Sequence, residues 1–381
     1  MNTLDLLDRL IAFPTVSRDP NRELIEFVRQ FLAERGIDSD LYLAEDGRKA
    51  NLFATIGPAD KPGVMLSGHT DVVPVDGQNW SQDPFCMTVA DGKAYGRGAA
   101  DMKGFLACAL LLADRAAQES LATPVHFAFS HDEEIGCVGV RSMIDGLETR
   151  AVQPRFAIVG EPTSMRVATG HKGKIAARAT CCGVTGHSAL APRALNAIHL
   201  ACDLIDSIRK QQSRIEREGF RDDDYEVPYT TLHVGRIEGG TALNIVPNRC
   251  TVDFEIRNIA RDDAGGLLDR LMNEAAAIAS RRRDAFPQAD IGIEVFNDYP
   301  GLATPADAEV VGFVGGLVTS QDLSKVDFGT EGGLFWKRLG VPVVVCGPGS
   351  MDQGHKPDEF IALDQLEACD RMMERLLQCC L

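Results

Sequence analysis

Four runs of nearly unbroken apolar residues, GVMLSGH (63–69), VHFAFSHDEE (125–134), FAIVGEP (156–162) and VPVVVCGPG (341–349), each end in polar residues. Helical periodicity lies around them: amphipathic patterns cover 4–12 and 22–35, the second stopping at Gly36 as a C-cap would, and a strongly apolar one covers 104–118. Continuous apolar strands alternating with helices predict an α/β fold, with a mixed, largely parallel sheet sandwiched by helices.

Between Lys174 and Phe296 the pattern changes. A strand over 174–182 precedes a helix over 193–217, strands follow over 229–237 and 249–257, and a helix over 264–282 leads to a strand over 291–296. In 249–257, Val252, Phe254 and Ile256 alternate with Thr251, Asp253, Glu255 and Arg257, so one face of this sheet is covered and the other open. The order β-α-β-β-α-β is that of a ferredoxin-like module. It is expected as an insertion, 174–296, in a catalytic domain made of 1–173 and 297–381.

Composition narrows the partners. A net charge of −16 opposes phosphate binding and so nucleic acid. The Arg281, Arg282, Arg283 run sits at a predicted helix end, where cations complement the dipole, and Asp222, Asp223, Asp224 are expected in an exposed loop. Eleven cysteines without a C-x-x-C spacing suit reduced thiols in the cytoplasm. Asp5 and Asp8 stand where an export signal needs positive charge, and the apolar stretch 105–113 is too short to span a bilayer. A cytoplasmic protein with no membrane or nucleic-acid partner is expected.

The strand ends carry the chemistry. His69 closes the first run with Asp71 two residues on, a pairing that suits a metal-bound imidazole whose other N–H needs a carboxylate. Asp101 lies in GRGAADMKG before a helix, where the third glycine of a dinucleotide fingerprint would stand and where an anion would repel pyrophosphate. Glu133 and Glu134 end the second run side by side, so one can serve a metal and the other act as a free base. Glu161 ends the third run, and His355 follows the fourth. Ligands bind beyond the carboxyl ends of strands in open α/β sheets. Two histidines and three carboxylates suit two Zn²⁺ or similar ions sharing a bridging aspartate, which leaves Glu133 unligated. His126, His131, His171, His199 and His233 lack that context.

In this order and spacing, HTDVVP, GRGAADMKG, DEEIG, VGEPT and GHKPDEF resemble the M20 metallopeptidase family across essentially the whole chain. The resemblance implies a zinc-exopeptidase-like fold and two divalent ions per subunit, Zn²⁺ first and Co²⁺ as the alternative. One ion would be held by His69, Asp101 and Glu161 and the other by Asp101, Glu134 and His355, with Glu133 as general base and Asp71 as the partner of His69. It also implies that the module serves homodimerisation or lid closure, and that His187 of GVTGHSALAP reaches an active site, often the other subunit's. Asn244 and Arg257 resemble module residues that contact substrate. The implied activity is hydrolysis of a small N-acylated amino acid, N-acetylornithine first, with succinylated, other acylated or dipeptide substrates as alternatives. GTEGGLF replaces the SGGTSDGR pattern of the desuccinylases, and its Glu331 is expected to meet a substrate ammonium.

Overall fold

The four apolar runs form neighbouring strands. In the computed structural model, which describes residues 1–320 and 322–381, Val125–Ser130, Val64–His69, Phe156–Pro162 and Val343–Gly347 lie side by side and parallel. Among the described residues this sheet has nine strands: Ala50–Ile56 and Ser39–Leu43 continue it beyond one side, and Val167–His171 continues it beyond the other, pairing with Leu302–Ala303 and with Leu323–Val326. The strand expected over 125–134 stops at Ser130, and Asp132 adopts φ 56°, so Glu133 and Glu134 sit in a turn beyond the strand.

Helices cover both faces. Gly104–Ala116 is buried everywhere except at Asp114 and Arg115, as expected of a helix apolar all round. With Thr3–Ile11, Arg22–Ala33 and Leu363–Cys380 it shares one core with Leu52, Leu66, Phe127, Ile158 and Val344 of the sheet. A side chain at Gly160 would put its Cβ 2.0 Å from the Phe105 ring, so glycine is what lets this helix lie against the strand that carries Glu161. On the opposite face, Val140–Glu148 and Gly332–Leu339 bury Met143, Ile144 and Phe335.

The chain divides into two compact units, 1–171 with 302–381, and 172–301. The second runs past the expected residue 296 because its last strand continues to Tyr299. It is a four-stranded antiparallel sheet in the order Thr231–Gly239, Arg249–Asn258, Gly173–Cys182, Asp290–Tyr299. Helices Ala197–Glu218 and Ala264–Arg283 pack on one face around Leu204, Ile208, Phe254 and Leu271. The other face carries charge, with Arg178 bonded through two nitrogens to Asp253. Arg281–Arg283 do end a helix, and Arg283 turns back to Asp290.

Candidate metal centre

The carboxyl ends of the parallel strands bring five expected ligands together in the first unit. His69 Nε2 lies 3.0 Å from Asp101 Oδ1 and 3.7 Å from Glu161 Oε1. His355 Nε2 lies 3.1 Å from Asp101 Oδ2 and 3.0 Å from Glu134 Oε2. The two oxygens of Asp101 therefore face different imidazoles, and each imidazole has a second carboxylate beside it. Asp101 reaches this position through the loop that follows Gly98, which adopts φ 83°, and His355 stands on backbone at φ 62°.

Buried acids crowd one another here. Burial, with the charges of Glu134, Glu331 and Asp101 and against the pull of His69, pushes Glu133 up to about 8. Burial and the Asp101 charge push Glu134 up to about 7, while burial and Asp101 raise Glu161 well above the carboxylate range. Hydrogen bonds that His355 donates to Asp101 and Glu134 push it up to about 10. His69 is raised despite its burial, by Asp101 and Glu161, and Asp101 is held low against its burial by the two histidines. Bound cations would relieve this repulsion among the carboxylates. Glu134 Oε1 is buried with no hydrogen-bond partner among the described residues, and two imidazoles with carboxylates are ligands for borderline dications, so the residues fit two such ions.

Asp71 stands beside His69, but its main chain rather than its carboxylate takes the imidazole. His69 Nδ1 meets the Asp71 main-chain carbonyl at 2.9 Å, with the carboxylate at 3.7 Å. The carboxylate accepts the main-chain N–H groups of Glu133 and Glu134, at 3.1 and 3.4 Å, and the Ser17 hydroxyl at 2.7 Å. It therefore fixes the turn that aims both glutamates. Glu133 has donor atoms within 4.8 Å of those of His69 and Glu161, and Cys137 Sγ lies 3.2 Å from its Oε1.

Glu331 requires a correction. It is 1% exposed, accepts the Ser67 hydroxyl at 3.1 Å, and is pushed up to about 7 by burial. A carboxylate enclosed beneath the strand of His69 presents no surface to a substrate ammonium. The remaining histidines of this unit are engaged elsewhere: His126 faces Thr55 at 2.9 Å, His131 lies 3.0 Å from Asp132, and His171 Nε2 accepts the Gly333 N–H at 3.0 Å.

His187, Asn244 and Arg257 belong to the second unit. His187 is exposed on a two-residue strand paired with Ile245–Val246, and the Ser188 N–H donates to the Asn244 carbonyl at 3.0 Å. His187 Nδ1 accepts the Ala189 N–H at 3.1 Å, which puts the proton of the neutral ring on Nε2. Arg257 donates to Tyr299 Oη at 2.9 Å and pairs with Glu255 at 3.2 Å.

The sequence pattern of peptidase family M20/M25/M40 matches residues 65–378. The chain is 32% identical to an acetylornithine deacetylase of Pasteurella multocida, over 98% of this chain and 97% of that one. It is also 32% identical to that of Proteus mirabilis, over 98% and 96%. Among solved structures, an M20 family metallo-carboxypeptidase from Sulfolobus solfataricus superimposes with a TM-score of 0.79, at 19% identity over 99% of both chains. A dinuclear metal-binding M20 peptidase from Bacillus subtilis does so at 0.68, with 16% identity over 99% and 97%.

Proposed function

We propose, from the premise that this chain belongs to peptidase family M20/M25/M40 and is a metallohydrolase, that it deacetylates N2-acetyl-L-ornithine with two zinc ions per chain. The observation that carries the two-ion reading is Asp101, whose oxygens face His69 and His355 separately. His69, Asp101 and Glu161 would hold one ion, and Asp101, Glu134 and His355 the other. When bound, two such ions polarise the scissile carbonyl and lower the pKa of water towards neutrality.

Glu133 is left to handle the proton. Its turn is anchored on Asp71, which keeps the carboxylate beside the cluster. It takes the proton of the attacking water as the C–O bond forms and delivers it to the amine nitrogen as the C–N bond breaks. His187, with its N–H on Nε2, stabilises the oxyanion of the tetrahedral state, and Arg257 offers a planar fork to the substrate's α-carboxylate while Asn244 orients the amide. The whole-length likeness to acetylornithine deacetylases supports the substrate.

A homodimer through the second unit is part of this reading. The edge strand Asp290–Tyr299 exposes Val295 and Phe296, apolar groups suited to a protein neighbour. A cytoplasmic setting accords with eleven free cysteines, and no helix among the described residues is long and apolar enough to cross a membrane. The substrate is tested by assaying zinc-loaded protein against N-acetylornithine, N-acetylmethionine, N-succinyl-diaminopimelate and a dipeptide. The highest kcat/KM on acetylornithine is expected; a preference for the succinyl or dipeptide substrate would move the chain to another activity of the family.

A further inference from the structure

The motif GHKPDEF contributes His355 to the cluster, but its buried acid, Glu359, has no part in the chemistry above. Glu359 is 1% exposed, and its two oxygens are fully engaged. Oε1 accepts the main-chain N–H groups of Ala100 and Asp101 at 3.0 and 3.1 Å. Oε2 accepts that of Gly98 at 3.1 Å and the Arg97 guanidinium at 2.7 Å. These amides lie in the irregular segment 98–103 that precedes the helix Gly104–Ala116. With the Arg97 guanidinium, four donors converge on one carboxylate.

The contacts continue beyond that pair. Arg97 Nη1 also reaches the Lys356 carbonyl at 3.3 Å, and Nη2 donates to Gln78 Oε1 at 2.5 Å. Gln78 Nε2 in turn donates to the main-chain carbonyl of His355 at 2.9 Å. Since His355 Nε2 meets Asp101 Oδ2 at 3.1 Å, the circuit Asp101, Glu359, Arg97, Gln78, His355 closes on itself. One loop, 355–359, therefore grips Asp101 twice, at its carboxylate through His355 and at its main chain through Glu359.

We infer that the Glu359–Arg97–Gln78 circuit is the positioning device of the metal centre, setting the bridging Asp101 and the terminal His355 in one frame and so fixing the affinity of both ions. The inference rests on the two-ion reading. A buried ion pair by itself is weak evidence of a stabilising role. Closure of this one through both ligands gives it a use that stability alone does not require. Partners that orient metal ligands commonly change affinity by about tenfold to a hundredfold when removed.

The two ends of the circuit predict different outcomes. Glu359→Gln places an NH₂ group against two of its four donors and disturbs Asp101, which is shared. Gln78→Ala removes the donor to the His355 carbonyl and the acceptor of Arg97 Nη2 and Trp80 Nε1, at a half-buried residue, and leaves the Glu359 contacts to the 98–101 amides in place. The test is titration of metal-stripped full-length protein with zinc against a chromophoric chelator, with the thermal midpoint of each stripped protein recorded alongside. Wild-type protein is expected to bind two ions. Glu359→Gln should weaken both by about tenfold or more, whereas Gln78→Ala should weaken one by a similar factor and leave the other within about twofold, with the stripped midpoint unchanged. Two ions at wild-type affinity in both variants, or equal weakening of both ions by Gln78→Ala, would overturn the inference while leaving the two-ion reading intact. Fewer than two ions in the wild type would overturn that reading and this one with it. If Glu359→Gln fails to fold, Gln78→Ala alone decides.

Discussion

Replacing Glu133 with glutamine separates proton transfer from metal binding. The substitution exchanges one carboxylate oxygen for NH₂ and keeps the shape that Asp71 holds through the Glu133 main-chain N–H at 3.1 Å. The oxygen facing Cys137 at 3.2 Å can remain the amide oxygen. What disappears is a site able to take up a proton. General-base catalysis contributes about 10²- to 10⁴-fold, so kcat should fall by that factor, about 2.7–5.4 kcal/mol at 1.36 kcal/mol per tenfold. Because Glu133 also has donor atoms within 4.8 Å of those of His69 and Glu161, the competing role is a third ligand. Acetate release from acetylornithine and zinc per chain, measured on the same preparation, distinguish the two. Full zinc with kcat reduced at least a hundredfold is the expected result. Full zinc with activity within about threefold of wild type, far short of the loss of a base, would remove Glu133 as the base, and loss of an ion would make it a ligand.

Three further outcomes follow from the same geometry. In the metal-free protein Glu133, Glu134 and Glu331 are raised from 4.5 to about 8, 7 and 7, and His355 from 6.5 to about 10, so the stability they contribute is full at low pH and lost as pH rises through those values. Thermal midpoints of stripped and zinc-loaded protein between pH 5 and 9 should therefore diverge as pH rises, and a constant gap would contradict this. His187→Ala should lower kcat by about a hundred- to a thousandfold at unchanged zinc content, and mixing it with Glu133→Gln should restore activity if the residue serves the partner subunit. Retention of wild-type kcat would remove His187 from the reaction. Glu331→Gln should reduce activity on acetylornithine and acetylmethionine in equal proportion, since Glu331 is enclosed; selective loss on acetylornithine would restore the ammonium role.

The elements that place the metal centre were legible because their pattern is local. Four apolar runs report strands buried on both faces, and the polar residues that stop them fall at the carboxyl ends of strands that prove adjacent and parallel. Alternation in 249–257 likewise reports the one-sided sheet of the second unit. Partners distant in sequence were not legible. Ser17 and Asp71 meet across 54 residues, and Arg97 and Glu359 across 262, with nothing near either residue to signal the other. Glu331 shows the opposite failure. An acid between glycines looks exposed in sequence, yet the fold closes over it and gives it Ser67. Hydrophobic pattern says which face is covered; which polar group is enclosed with which depends on tertiary packing.

In the proposed centre Asp101 bridges two ions and Glu133 holds none. Anomalous scattering from crystals of zinc-loaded protein, collected at the zinc absorption edge, tests it directly. Two peaks are expected, one among His69, Asp101 and Glu161 and the other among Asp101, Glu134 and His355, with no Glu133 oxygen within bonding distance of either, about 2.0–2.2 Å for zinc. A single peak, or a peak bonded to Glu133, would contradict it.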